Sequence, residues 1–161
     1  MIPTRIFRIF LLILFLEGIM DTNLDILDEL NKGCSMGIEA LDMILKKVDE
    51  HDFRDLLVDF HDHYIEISDE IIELYHESTD EDIHKVNTAE KIMTWYGIMK
   101  DTVLDDSTSK IAEILINGTT MGIIEGRKIL NHKKMDKKIH SICDKYVKMQ
   151  EKYVEKLKPY L

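Results

Sequence analysis

The chain has 161 residues and a formal net charge of −10, with 45% apolar and 32% charged residues, a balance that fits one domain with a buried core and excludes wholesale disorder. The 155 residues between Pro3 and Pro159 contain no proline and few hairpin-turn signals, so they read as nearly all helix. A net acidic field repels phosphates, and the basic stretch near the C-terminus lacks aromatic or Gly-Arg interleaving, which argues against a nucleic-acid partner.

Residues 1–19 form an apolar segment of their own. Arg5 and Arg8 precede an eight-residue apolar run, 9–16, too short for the ~20 residues a bilayer span needs. Its length suits a leader core, but Leu16-Glu17-Gly18-Ile19-Met20 offers no small-x-small cleavage site. Glu-Gly encoded as GAGGGN would be a purine-rich ribosome-binding sequence just ahead of Met20. The expectation is a domain over 20–161, with 1–19 lying upstream of the natural start or acting as a leader. Membrane attachment depends on 1–19 alone.

From Asp21 onward the apolar spacing is helical. A first helix is predicted over 24–48, followed by the charged connector 49–52. A second, over 53–76, has Leu57, Phe60, Tyr64, Ile67, Ile71 and Leu74 alternating at three and four, the pattern of a helix packed in a bundle. A shorter segment over 88–104 carries Ile92, Met93, Trp95, Tyr96, Met99 and Val103, and Ser107 or Thr108 can cap the next helix. The third main helix is predicted over 109–130. The fourth spans 135–157, with Ile139, Ile142, Tyr146, Met149 and Tyr153 as its seam.

One frame occurs twice. "GCSMG" at 33–37 returns as "GTTMG" at 118–122, and an offset of 85 also aligns Ile38, Ile44 and Leu45 with Ile123, Ile129 and Leu130. An offset of 82 places the second-helix seam over the fourth, so two helical hairpins related by a pseudo-twofold are expected. Each glycine inside a helix costs about 1 kcal/mol relative to alanine, so Gly33, Gly37, Gly118 and Gly122 imply close packing on the glycine face. Tyr64, Tyr146, Tyr153, Trp95 or the opposite glycine helix are the fillers. A channel for a small ligand is the alternative.

Charge is divided along the chain. Residues 20–126 carry 8 basic and 26 acidic side chains, whereas 127–161 carry 11 basic and 4 acidic. This predicts a basic last helix whose lysines lie beside carboxylates of neighbouring helices. Cys34 and Cys143 sit at helical spacing among apolar residues, outside any CxxC or Cys/His cluster. They read as reduced, buried thiols of a cytoplasmic protein.

A wheel at about 100° per residue puts Ile111, Ile114, Leu115, Gly118, Met121, Gly122 and Ile129 on one face, with Glu125 near its middle. The expectation is a buried acid whose partners are tyrosine hydroxyls, with Tyr64 and Tyr146 as the accompanying buried polar groups. "GIEA" at 37–40, Trp95 in the short segment and "MGIIEG" at 121–126 together resemble the ferritin-like superfamily, more closely its small bacterial members of unknown function. That resemblance implies an all-α, up-and-down, ferritin-like four-helix bundle built from two helical hairpins, with a short extra helix between the second and third.

Metal-binding members of that superfamily take one Glu from each of two helices and Glu-x-x-His from each of the others. Glu125 matches on the third helix. Glu39 is the nearest match on the first, although Ala40 aligns with Glu125 and Glu39 falls about 120° from the glycine face. Glu73 and His76 have the motif spacing but lie off the seam, and the fourth helix has no such pair. His61 and His63 point about 200° apart and do not chelate one ion together. Phosphate-loop, GxSxG and Cys/His nucleophile patterns are missing from the sequence, so no catalytic residue is assigned.

The functional expectation is therefore a non-enzymatic binding or self-associating bundle, without a cofactor, acting as a homo-oligomer or with a protein partner. A degenerate iron- or oxygen-handling site around Glu125, Glu39, Glu66 and His63 is the alternative.

Overall fold

Apolar residues at alternating three- and four-residue spacing form four α-helices, with no strand among the described residues. The computed structural model of the protein describes residues 4–84 and 107–161, with side chains from Thr22 onward. The helices are α1 (Thr4–Leu45), α2 (His51–Ser78), α3 (Thr108–His132) and α4 (Lys137–Leu157), followed by a 3-10 turn at Lys158–Tyr160. The segment expected at 88–104, Trp95 included, lies outside the described residues.

The helices α1, α2 and α4 bury the stripes their spacing dictates. In α1 this is Ile26, Leu27, Leu30, Cys34, Leu41 and Ile44. In α2 it is Phe53, Leu57, Phe60, Tyr64, Ile67, Ile71 and Tyr75, so the last turn buries Tyr75 rather than the expected Leu74. Local chemistry fixes the ends. The Ser107 hydroxyl accepts from the Lys110 N–H at 3.3 Å and caps α3. The Arg54 guanidinium donates to the carbonyls of Leu45 and Val48 at 2.5 and 3.2 Å, satisfying acceptors that the end of α1 leaves open.

The path of the chain differs from the simple up-and-down order expected. Thr108 Oγ1 donates to Glu50 Oε2 at 2.6 Å, which puts the start of α3 at the N-terminal end of α2. Lys138 reaches Glu77 at 2.8 Å, and Asn23 bonds Asp136 through both its amide atoms, which puts the start of α4 at the other end. Hence α2 and α3 run parallel, and so do α1 and α4, while each hairpin is antiparallel within itself. The connection explains the difference. Residues 85–106 follow His84, whose Nδ1 lies 2.7 Å from Asp28 Oδ2 at the far end of α2, and lead to Ser107 at the near end. A helix of 28 residues is roughly 42 Å long, and 22 residues reach that distance easily, whereas the short turns 46–50 and 133–136 do not.

The hairpins join mainly through α2 and α4, while α1 and α3 touch little. Phe60 stacks on Tyr153 with centroids 4.1 Å apart and planes 11° apart, and on Tyr64 at 4.9 Å. Beside this stack, the buried Tyr153 hydroxyl donates to Asp59 Oδ2 at 2.5 Å, and Lys156 Nζ lies 3.0 Å from the same oxygen. The basic end of the chain also pairs across helices, Lys133 with Glu29, Lys138 with Glu77 and Lys145 with Glu70. Exposed pairs of this kind contribute little each, so the apolar seams carry the stability. Among the described residues, no helix is long and apolar enough to cross a membrane.

Candidate functional site

Because α1 and α3 barely meet, a half-open groove of about 450 Å³ remains between them. The repeated frames are its walls: Gly33, Met36 and Gly37 on α1 face Gly118, Met121 and Gly122 on α3. Side chains of α2 and α4 take up the space beside the glycines and form the floor.

The floor is built by close approach. A Cβ on Gly37 would lie 2.5 to 2.8 Å from three atoms of the Tyr64 ring, and one on Gly33 would collide with the Tyr146 hydroxyl. On α3, a Cβ on Gly122 would lie 2.7 Å from Gln150 Oε1, and one on Gly126 would collide with Val147. Tyr64 and Tyr146 thus occupy the space that two glycines on α1 vacate. Both are buried, and burial raises both phenol pKa values, so they stay neutral hydrogen-bonding groups.

Gln150 is 1% exposed and lines the groove. Its Nε2 donates to the Tyr64 hydroxyl at 3.2 Å, while its Oε1, turned toward Gly122, has no hydrogen-bond partner. A buried acceptor left open costs about 1–3 kcal/mol, so this oxygen calls for a further partner. The charged lining residues belong to the mouth. Glu29 pairs with Lys133 and Glu125 with Lys128, each at 2.7 Å, and Lys32 stands with them.

No protein-family model, curated protein or solved structure matches the chain. The groove itself is what bears on function.

The expected buried acid is corrected. Glu125 is 61% exposed and ion-paired with Lys128 at the groove mouth, with no tyrosine hydroxyl beside it. The seam of α3 runs through Ala112, Leu115, Thr119, Gly122, Gly126 and Ile129, turned by about one residue from the face through Gly118, Met121 and Glu125. Met121, at 62% exposure, moves outward with Glu125.

The four candidate metal ligands do not converge. Glu66 is exposed on α2, and His63 Nδ1 is engaged by the Asp59 carbonyl at 2.7 Å and the Tyr153 hydroxyl at 2.9 Å. Glu39 is half-buried on α1 with Oε2 unpartnered, and Glu125 is on α3. Among the described residues, no three His, Cys, Asp or Glu side chains cluster in a way that would hold a metal ion. His61 Nε2 lies 3.0 Å from Asp42 Oδ1 without hydrogen-bond alignment, so it flanks the α1–α2 seam.

Two site residues escaped the sequence reading. Gly126 continues the four-residue spacing from Gly118 and Gly122, a visible signal. Gln150 sits one position past the Met149 assigned to the α4 seam, and an amide there gives no periodic signal. What the groove offers chemically is apolar surface and neutral hydrogen-bonding groups.

Proposed function

We propose that the protein is a non-enzymatic binding protein, a ferritin-like bundle that takes a small apolar molecule into the α1–α3 groove. The observation that carries this reading is the pair of glycine frames held apart over a floor of Tyr64, Tyr146 and Gln150, with one buried amide oxygen unpaired. A concave, mostly apolar site with few polar groups, within the ~300–1,000 Å³ of small-molecule sites, is what ligand binding requires. The ferritin-like assignment is supported by two antiparallel hairpins joined by one long crossover, with α2 and α3 parallel.

Nile red, a neutral apolar fluorophore, tests the reading. One equivalent is expected to bind with a blue-shifted, intensified emission. Ala40→Trp, which fills the groove from the half-exposed α1 wall, is expected to weaken binding at least ~10-fold while leaving the circular-dichroism melt intact. Absence of binding by the wild-type chain, or equal binding by a folded Ala40→Trp variant, would overturn it.

A further inference from the structure

The lining is graded in polarity with depth. The charged groups are at the mouth, where Glu29 and Glu125 are already neutralised by lysines. Inside are Leu30, Leu41, Phe60, Leu115 and Ile129, and the polar atoms at the floor belong to neutral side chains. A charged group carried to that depth would leave water without a counter-ion, which is strongly unfavourable. The innermost part of any occupant is therefore uncharged.

Gln150 sets the second requirement. Its Oε1, turned toward Gly122, is an acceptor without a donor, while its Nε2 donates to the Tyr64 phenol, which keeps its own proton to give. Turning the amide by 180° hands Oε1 to that phenol proton and leaves Nε2 as the unpaired end. A hydroxyl answers either arrangement because it both donates and accepts. An ether or ketone answers only one, and a carboxylate cannot donate.

Resting on the groove's being a ligand site, we infer that its ligand is an uncharged amphiphile of the fatty-alcohol type, apolar along its length, with one hydroxyl group hydrogen-bonded to the Gln150 amide. The apolar body lies between the glycine frames and the hydroxyl meets the unpaired end of the amide beside Gly122. The orphan amide atom gains its partner only in the complex, so part of the affinity comes from a group the free protein leaves unsatisfied.

Displacement of Nile red from the full chain tests this with three probes of equal length: 1-decanol, its methyl ether and decanoate at pH 8. The alcohol is expected to compete ~5–10-fold better than the ether, the effect of one buried hydrogen bond, and far better than the carboxylate. Gln150→Leu is expected to bring the alcohol-to-ether ratio to about one, whatever it does to the affinity for Nile red itself. Nile red binding with no preference for the alcohol in the wild-type chain overturns the inference but leaves the groove as a binding site. A preference that survives Gln150→Leu, or decanoate as the best competitor, overturns it in the same way. Failure of Nile red itself to bind overturns the site reading beneath it. The wild-type alcohol-to-ether ratio needs no variant, so the inference stays testable if Gln150→Leu does not fold.

Discussion

Gly37 shows how much one missing side chain determines. Its substitution by alanine would gain about 1 kcal/mol of helix propensity, but the new methyl would lie 2.5 Å from Tyr64 Cζ inside a packed floor. Overpacking of that kind costs about 1–3 kcal/mol, so Gly37→Ala is expected to lower stability by up to ~2 kcal/mol in urea unfolding. Adding Tyr64→Leu should recover part of that loss, because the methyl then has room. A double-mutant cycle with no coupling would show that the ring is not what the glycine accommodates. The importance of Gly33 and Gly37 is legible in the sequence because four glycines inside helices demand a compensating contact. Glu125 is misplaced by its spacing for an equally physical reason: a glycine-rich helix has few large side chains to fix its buried face, and a turn of one residue carries an acid from core to rim. Gln150 is illegible, since a single amide on an amphipathic helix looks like an ordinary surface residue until its neighbours are known.

At the scale of helix pairs, the α2–α4 seam joins an aromatic stack to a polar cluster. Hydrogen bonds from Tyr153 and then Lys156 hold the Asp59 carboxyl below the usual carboxylate range. A carboxyl whose pKa is lower in the folded chain adds stability above its unfolded value, near 3.8, and that contribution disappears as pH falls through the folded value. Asp59→Asn is therefore expected to cost about 1 kcal/mol at pH 7, the modest figure suiting a side chain 45% exposed, and to cost progressively less below pH 4. Urea midpoints of the two proteins at pH 7 and pH 3 check it; a gap that stays constant or widens in acid would contradict the pairing. Burial and the Asp59 contact raise the Tyr153 pKa, so the phenol stays a donor throughout this range. Most of the seam is readable from spacing, including Phe60, Tyr64, Tyr146 and Tyr153. Apart from the start of α1, which lies at Thr4 rather than 24, the helix ends differ by at most three residues because they are set by side-chain and backbone contacts, such as Arg54 on the end of α1, that periodicity does not encode.

For the whole molecule, the cysteines report on cooperativity. Cys34 and Cys143 are both fully buried, and desolvation raises the thiol pKa of each, that of Cys143 to about 11. A thiol-specific reagent at pH 8 is expected to leave the native protein unlabelled over minutes and to modify two thiols in urea, with Cys34 reacting at the rate of global opening. Rapid labelling of Cys34 in the absence of denaturant would mean that α1 lifts from the bundle independently. The two-hairpin architecture is foreshadowed by the repeated frame, but the relative direction of the hairpins is not. Both directions bury the same stripes, and only the span that the connection must cover separates them.

That crossover also divides the work of folding. Contacts within α3–α4 join residues such as Arg127 and Glu151, 24 apart, and those within α1–α2 residues such as Asn31 and Ser68, 37 apart, whereas the Tyr153–Asp59 bond closes a separation of 94 residues. Each hairpin is thus a local unit, and the entropic penalty of ordering the molecule falls mainly on bringing the two units together. Loop-closure entropy grows only by about 0.6 kcal/mol for each doubling of length, so the stability of the bundle is far less sensitive to the number of residues between the hairpins than to the fit of Phe60 against Tyr153.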